Sequence, residues 1–177
     1  MVVGLGNPGE KYENTRHNLG YRVVKALRLS AFSGADLYTP QSPFGGDSPT
    51  YMNESGRPVG HIVRYKHLQP DEVLVVCDDF SIPLGTLRIR AGGSSGGHNG
   101  LDSVIQALGD QNIPRLRIGI GPVPDGQDPA EFVLENFVGR DVKGKVEIMI
   151  EAAAEAVRVA VNEGLETAMN RFNKSLP

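Results

Sequence analysis

The run VLVVC at residues 73–77 constrains the fold of this chain more than any other segment. It is apolar at five consecutive positions, and it lies between the polar pairs Pro70-Asp71 and Asp78-Asp79. A strand with this pattern buries both of its faces, as strands do in sheets that are covered by helices on both sides. Residues 73–77 therefore predict a central strand of an α/β protein.

Strand-like and helix-like segments alternate around this run. Further strands are predicted at residues 1–5, 87–91 and 116–120, and the last two alternate in polarity, so one face of each should be exposed. Helical spacing or capping residues predict helices at 19–32, 55–68 and 101–108, from 128 onwards, and at 141–162. Residues 33–50 have no periodicity. Interleaved strands and helices indicate a single α/β domain over residues 1–177.

Composition limits the class of protein. No stretch approaches the roughly 18 apolar residues of a membrane span, and no signal peptide opens the chain. The single cysteine, Cys77, excludes an internal disulfide and fits a reducing compartment, so we expect a cytoplasmic protein with no membrane partner. The net charge of −3 argues against a generally basic protein, but the acidic excess lies in residues 125–177. The remainder can still form a local basic patch.

The stretch GGSSGGHNG at residues 92–100, hereafter the glycine loop, allows three interpretations: a linker, a phosphate cradle or a nucleophile turn. Its G-x-S-x-G match would make Ser95 the nucleophile. A nucleophile turn starts its helix directly from the serine, whereas residues 96–100 separate Ser95 from the next apolar run. We therefore disfavour a serine esterase, without excluding it.

The string GLGNPG at residues 4–9 matches the dinucleotide-binding pattern G-x-G-x-x-G. Pro8 biases Asn7 away from helical angles, where the binding helix should start. The strand that should end in an acidic residue about 20 positions later is also missing. A tight turn after a strand is the favoured interpretation.

Two further kinds of site were weighed. Cys77, at the end of a buried strand, is typical of a small core residue rather than of a nucleophile. A metal site formed by His17, Asp78, Asp79 and His98 is disfavoured because their spacings match no zinc pattern, so no metal is predicted.

Polar side chains repeatedly follow or precede the apolar segments; they are Asn7, His17, Asn53, Asp78, His98 and Asn99. Because carboxyl ends of parallel strands share one edge of a sheet, Asn7, Asp78 and the glycine loop should converge there. A single asparagine is most often a cap or a turn residue. Together, however, a histidine base, a supporting carboxylate and carbonyl-polarising amides suit direct attack by water on an ester.

Several motifs in series closely resemble those of bacterial-type peptidyl-tRNA hydrolases. They are GLGNPG at 4–9, TRHN at 15–18, YMNESG at 51–56, DD at 78–79, GGHNG at 96–100, RLRIGIG at 115–121, FVLENF at 132–137 and AMNRFN at 168–173. The similarity covers nearly the whole chain. It implies a mixed, twisted β-sheet surrounded by helices, in a monomeric esterase that needs no cofactor, metal or protein partner. Its substrate would be peptidyl-tRNA, cleaved between the peptide carbonyl and the terminal ribose.

The resemblance also implies roles for individual residues. His17 matches the catalytic histidine and Asp78 the carboxylate that supports it. Substrate-binding positions are Asn7, Tyr12, Met52, Asn53, His98 and Asn99. Phosphate contacts to the tRNA are expected from Arg88 and Arg90 on one strand and from Arg115 and Arg117 on another, since phosphate contacts position a nucleic acid without reading its sequence. The glycine loop would then be a substrate-binding gate whose serines are bystanders.

The chain departs from the family pattern at four places, one of which is an expected truncation of the first strand at Met1. Residues 33–50 are short and rich in proline and glycine where the family has strand-like sequence, Pro122 replaces a common arginine or histidine, and Ser81 replaces a common acidic residue. No matched catalytic position is lost. The competing function is a related RNA-binding protein that does not hydrolyse its ligand, which would keep the arginines but not need His17.

Overall fold

The computed structural model describes residues 1–40 and 49–174. Residues 41–48, within the segment 33–50 for which no periodicity was found, lie outside the described residues. The described parts contain one sheet with strand order β2-β1-β3-β5-β4. Its strands are β1 (Val2–Gly4), β2 (Leu37–Tyr38), β3 (Leu74–Pro83), β4 (Leu87–Arg90) and β5 (Arg115–Gly121). All neighbours are parallel except β4 and β5, so the predicted mixed α/β sheet is confirmed.

Helices cover both faces of the sheet. They are α1 (Leu19–Leu29), α2 (Gly56–Tyr65), α3 (Asn99–Leu108), α4 (Pro129–Leu134), α5 (Arg140–Asn162) and α6 (Leu165–Phe172). One apolar cluster joins the sheet to α1, α4, α5 and α6, and a second joins it to α2 and α3. Neither β2 nor α6 was predicted, because two strand residues and a helix of eight give little periodic signal. In the described ranges, none of the helices combines the length and apolarity that crossing a bilayer requires.

Strand β3 lies in the middle of the sheet, as VLVVC predicts. Val76 packs into the cluster on the α1 side and Val75 into the cluster on the α2 side, so both faces are buried. The strand does not stop at Cys77, however, but continues to Pro83. Because β1 ends at Gly4, opposite Val76, the continuation of β3 is paired with β5 alone. Asp78 therefore lies inside β3. Its side towards β1 is not covered by that strand, because β1 ends opposite Val76.

The prediction that β5 has an exposed face was wrong. Every residue of this strand is buried except Arg117, which is intermediate. On the face that was expected to be polar, added Cβ atoms on Gly119 and Gly121 would overlap the carbonyl oxygens of Pro83 and Phe80. The continuation of β3 therefore covers this face, and sequence alternation alone cannot reveal a neighbouring backbone.

Close packing of α1 on the sheet explains the first glycine of GLGNPG. A Cβ on Gly4 would overlap the carbonyl oxygen of Gly20 in α1, and a Cβ on Gly20 would overlap that of Val76. After β1 the chain enters a short 3-10 helix, Glu10–Tyr12, instead of a dinucleotide-binding α-helix. A second 3-10 turn, Arg16–Asn18, leads into α1 and carries His17 to the sheet edge.

Candidate active site

The segment that carries His17 is held by contacts of Thr15 and Arg16 with residues 132–136. Thr15 forms an isolated bridge to Asn136, and the Arg16 backbone N–H donates to the Glu135 carbonyl at 3.0 Å. The Arg16 guanidinium lies over the ring of Phe132 at 4.1 Å from its centroid. The turn before α1 is therefore docked on the segment that follows β5, and His17 is held in place before any substrate binds.

His17, Asp78 and His98 meet at a single oxygen atom. Nδ1 of His17 lies 2.9 Å from Oδ1 of Asp78, and Nε2 of His98 lies 3.1 Å from the same oxygen. The two imidazole rings are 4.7 Å apart between centroids. Asp78 and the glycine loop therefore meet as predicted, although the loop follows the antiparallel strand β4 and so starts at the opposite edge of the sheet.

The electrostatics of Asp78 favour its ionised form. Burial alone would raise the pKa of this carboxyl, but the adjacent imidazoles of His17 and His98 more than offset it and hold the pKa below the usual range. An ionised carboxylate can only accept hydrogen bonds. Both histidines therefore donate to Asp78, and neutral His17 carries its proton on Nδ1. Its Nε2 is left with a lone pair that can accept a proton.

The other ring nitrogen of His98 is engaged by helix α3. Nδ1 of His98 accepts the backbone N–H of Leu101 at 3.1 Å, so His98 caps the helix. An accepting Nδ1 leaves the proton of the neutral ring on Nε2, where it is donated to Asp78. The glycine loop thus ends on a side chain whose orientation is fixed at both nitrogens.

The same three side chains also form a group with metal-ligand chemistry. One ligand atom from each of His17, Asp78 and His98 lies within 4.8 Å of the others. A metal ligand nitrogen must offer a lone pair, whereas the hydrogen bond from Leu101 places the proton on Nε2 of His98. The donor set suits a hydrogen-bonded network better than a metal centre, and the expectation that no metal is needed stays a prediction.

A cavity of about 260 Å³ opens onto this network. His17, Asp78 and residues Ser95 to Asn99 line one part of it, and Arg117 and the start of α4 line the rest. Asn99 is exposed as the first residue of α3. His17, Asp78, His98, Asn99 and Arg117 are therefore the predicted site residues that share one cavity.

Four of the predicted binding residues are not among the described residues that line this cavity. The Asn7 side-chain oxygen accepts the Met52 N–H at 2.8 Å, and the Asn7 backbone pairs with the side chain of Asn18, the residue after His17. Met52 is buried and Asn53 is exposed on the 3-10 helix Met52–Glu54. Tyr12 is half-buried and meets the ring of Tyr51 edge-on at 6.4 Å between centroids.

The four arginines lie side by side on one face of the sheet, because Arg88 pairs with Arg117 and Arg90 pairs with Arg115. Arg88 and Arg90 are exposed. Arg115, in contrast, is 1% exposed, which contradicts its expected place on an open strand face. Its guanidinium is covered by the glycine loop, and burial lowers its pKa.

Two candidate nucleophiles can be judged from their surroundings. Ser95 lines the cavity, but both ring nitrogens of His98 are engaged elsewhere, so His98 does not serve it as a base. Cys77 is buried in the core, and burial raises the pKa of its thiol well above the usual range, which keeps it protonated. Neither residue is placed for nucleophilic attack.

Sequence reasoning missed the contribution of α4 to the cavity. Asp128 caps this helix by accepting the Ala130 N–H at 2.9 Å, as the Asp-Pro pair predicts. Asp128, Pro129, Ala130 and Val133 line the cavity opposite the glycine loop. The available signal was that this helix follows β5, whose carboxyl end lies at the same sheet edge as Asp78.

Comparison with known proteins agrees with this geometry. The family model described as Peptidyl-tRNA hydrolase matches residues 1–177. The peptidyl-tRNA hydrolase of Elusimicrobium minutum is 45% identical over 185 residues, covering 98% of each chain, and that of Mycolicibacterium smegmatis is 42% identical over 184 residues, covering 96% of this chain and 95% of the relative. The crystal structure of peptidyl-tRNA hydrolase from Acinetobacter baumannii superposes with a TM-score of 0.82 at 30% identity, covering 98% of this chain and 94% of that chain. The resemblance read from the sequence is thus confirmed, and this chain belongs to the peptidyl-tRNA hydrolase family, a family of hydrolases.

Proposed function

We propose that this protein hydrolyses the ester between a peptide, or an N-acyl amino acid, and the 3′-terminal ribose of tRNA, and so recycles tRNA during translation. The observation that carries the proposal is the bond of 2.9 Å between Nδ1 of His17 and the buried carboxylate of Asp78. It leaves Nε2 of His17 as a base beside a cavity that can admit an ester.

In the proposed reaction, water is the nucleophile. Nε2 of His17 takes a proton from the water while its oxygen bonds to the ester carbonyl carbon, which gives a tetrahedral oxyanion. The carbon–oxygen bond to the ribose then breaks, and the imidazolium returns its proton to the leaving ribose oxygen. The products are the peptide acid and tRNA with a free hydroxyl. Asp78 stabilises the imidazolium between the two steps, as the carboxylate does in a serine-protease triad.

Side-chain amides supply hydrogen-bond donors for the ester carbonyl and the oxyanion. Asn99 lines the cavity beside His98, where its NH2 group can donate to the substrate carbonyl or to the oxyanion. The hydrogen bond from the Met52 N–H to the Asn7 oxygen fixes the orientation of the Asn7 amide. Tyr12, Met52 and Asn53 would bind the peptide or the terminal nucleotide.

Arg88 and Arg90 would bind the body of the tRNA. Both are exposed on β4, and β4 is joined to α3 by the glycine loop that lines the cavity. Phosphates contacted there would hold the tRNA while its 3′ end enters the cavity. We further propose a monomer that acts in the cytoplasm without a cofactor or a protein partner.

Hydrolysis of an N-acetylated aminoacyl-tRNA tests the proposal. Loss of the base in His17→Ala should lower kcat by about 10²–10⁴-fold, the range for general acid–base groups. His61→Ala, on the exposed side of α2, is the matched control and should keep wild-type turnover. Near-wild-type turnover of His17→Ala would refute the mechanism. Wild-type protein that binds tRNA without hydrolysis would favour the alternative of an RNA-binding protein.

The serine esterase alternative has its own test. A fluorophosphonate probe labels serines that are activated by a base, and the engagement of both His98 nitrogens leaves Ser95 without that base. We expect no labelling and wild-type turnover of Ser95→Ala. Labelling of Ser95 that abolishes hydrolysis would show that Ser95, rather than water activated by His17, is the nucleophile.

A further inference from the structure

Arg115 makes an unusual set of contacts for a charged residue. Its Nε donates to the Ile113 carbonyl at 2.7 Å, and one terminal nitrogen donates to the carbonyls of Gly93 and Ser94 at 2.8 and 3.0 Å. The other terminal nitrogen donates to the Gln111 carbonyl at 3.2 Å. In the described parts of the chain, no carboxylate forms a salt bridge with it. The guanidinium therefore ties four backbone carbonyls together.

These carbonyls belong to two segments that are also joined by the backbone hydrogen bond from the Gly93 N–H to the Gln111 carbonyl at 3.0 Å. Gly93 and Ser94 lie in the glycine loop, whereas Gln111 and Ile113 precede β5. The loop has positive φ angles at Gly93, Gly96 and Gly97, a conformation that glycine adopts more readily than other residues. A loop this rich in glycine requires contacts with other segments to keep one conformation. The hydrogen bonds from Arg115 to Gly93 and Ser94 are such contacts.

Arg117 reinforces the same point of the loop. It donates to the Ser94 carbonyl at 2.9 Å and pairs with Asp79 at 3.2 Å. The Ser94 carbonyl thus receives a donor from each of two neighbouring strand arginines. Downstream of Ser94 the chain passes Gly96, which packs on the Arg117 guanidinium, and reaches His98 and Asp78.

We propose that Arg115 is a positioning residue for hydrolysis: by holding the glycine loop at Gly93 and Ser94, it places His98 so that Asp78 is oriented towards His17. The inference rests on the proposed function. It gives Arg115 a role within the protein instead of the expected contact with a tRNA phosphate. Its neighbour across the ladder, Arg90, is exposed and keeps the phosphate role.

The two roles predict different kinetics for Arg115→Lys, because lysine keeps the charge but cannot reach four carbonyls in the planar geometry of guanidinium. Two substrates separate them: N-acetylaminoacyl-tRNA, and an N-acetylaminoacyl ester of a single nucleotide that lacks all helical phosphates. We expect kcat to fall by the same factor on both, up to about a hundredfold for a misplaced catalytic group. The salt dependence of tRNA binding should stay that of wild type.

A double-mutant cycle with His98→Ala tests the route of the effect. If Arg115 acts through His98, Arg115→Lys should lower kcat much less in the His98→Ala background than in wild type. Amide hydrogen exchange at Gly93, whose N–H donates to the Gln111 carbonyl, should become faster in Arg115→Lys. This readout does not depend on activity.

Several results would overturn the proposal. They are wild-type kcat on both substrates, additive effects in the cycle, or a raised KM for tRNA alone with a salt slope reduced by about one unit, which is the signature of a phosphate contact. Failure of wild-type protein to hydrolyse either substrate would instead refute the proposed function.

Two further variants keep the test informative. Arg64→Lys, on the exposed face of α2, is the control for an arginine-to-lysine change and should behave as wild type. If Arg115→Lys does not fold by circular dichroism, Arg117→Gln removes the second donor to Ser94 from a less buried position. It should show the same loss on the single-nucleotide substrate and the same coupling to His98, and wild-type behaviour in both would overturn the proposal.

Discussion

Oδ1 of Asp78 lies 2.9 Å from Nδ1 of His17, with both side chains almost completely withdrawn from solvent. The carboxylate also receives His98, so one oxygen fixes the ring orientation of two histidines. A base held in this way has one tautomer and one direction of attack before substrate arrives.

Replacing Asp78 by asparagine should impair catalysis more than binding. The amide has no charge to stabilise the imidazolium and can impose the wrong His17 tautomer, so we expect kcat for N-acetylaminoacyl-tRNA to fall by about 10²–10⁴-fold. Asp71→Asn, in the 3-10 helix Pro70–Glu72 before β3, is the matched control and should retain wild-type kcat. An unchanged kcat in Asp78→Asn would show that His17 does not depend on this carboxylate.

Asp78 should also make stability depend on acid pH. Its pKa is lowered in the folded protein, so its stabilising contribution is present above the unfolded value of about 3.9 and is lost as pH falls through the lower folded value. The free energy of unfolding, from urea titrations between about pH 5 and pH 2, should therefore fall more steeply in wild type than in Asp78→Asn. Parallel pH profiles would contradict the lowered pKa.

Arg88 and Arg90 should each contribute to the salt dependence of tRNA binding. Removal of one phosphate contact reduces the slope of log K against log salt by about one unit. Arg88→Met and Arg90→Met should show this change and bind tRNA more weakly, as measured by filter binding over a salt series. Arg57→Met, an exposed arginine at the start of α2, should leave the slope unchanged. Wild-type slopes in both β4 variants would remove β4 from the tRNA interface.

Asn173 should stabilise the outer edge of β4. Its side chain accepts the Ile89 N–H and donates to the Ile89 carbonyl at 3.1 Å, so it takes the place of a pairing strand between Arg88 and Arg90. Loss of two hydrogen bonds in Asn173→Ala should lower the free energy of unfolding by about 1–2 kcal/mol, measured by urea denaturation. Asn170→Ala, exposed on α6, should have little effect. Equal stabilities of the two variants would rule out this role.

Patterns that depend on neighbouring residues were readable from the sequence. Continuous apolarity identified β3, the Asp128-Pro129 pair identified the start of α4, and Gly109 identified the end of α3. The rule that carboxyl ends of parallel strands share an edge predicts that the glycine loop meets Asp78, but β4 is antiparallel to β5, so the loop starts at the opposite edge and reaches Asp78 only through His98. Local propensity and strand polarity therefore predicted most elements, whereas the roles of His17 and Asp78 were implied by the resemblance to a known family.

The arginines show what the sequence could not decide. The alternating polarity of β5 predicts that Arg115 and Arg117 are both exposed on one face of the strand. In the structure, the glycine loop and the continuation of β3 cover that face. Whether a polar side chain meets water, phosphate or backbone carbonyls depends on segments that are distant in sequence. The sequence alone determined which residues can carry the chemistry of this protein, because residue type and spacing are local properties. Only the tertiary structure decided which arginines face solvent and which bind backbone carbonyls, because burial is set by the packing of segments that are distant in sequence.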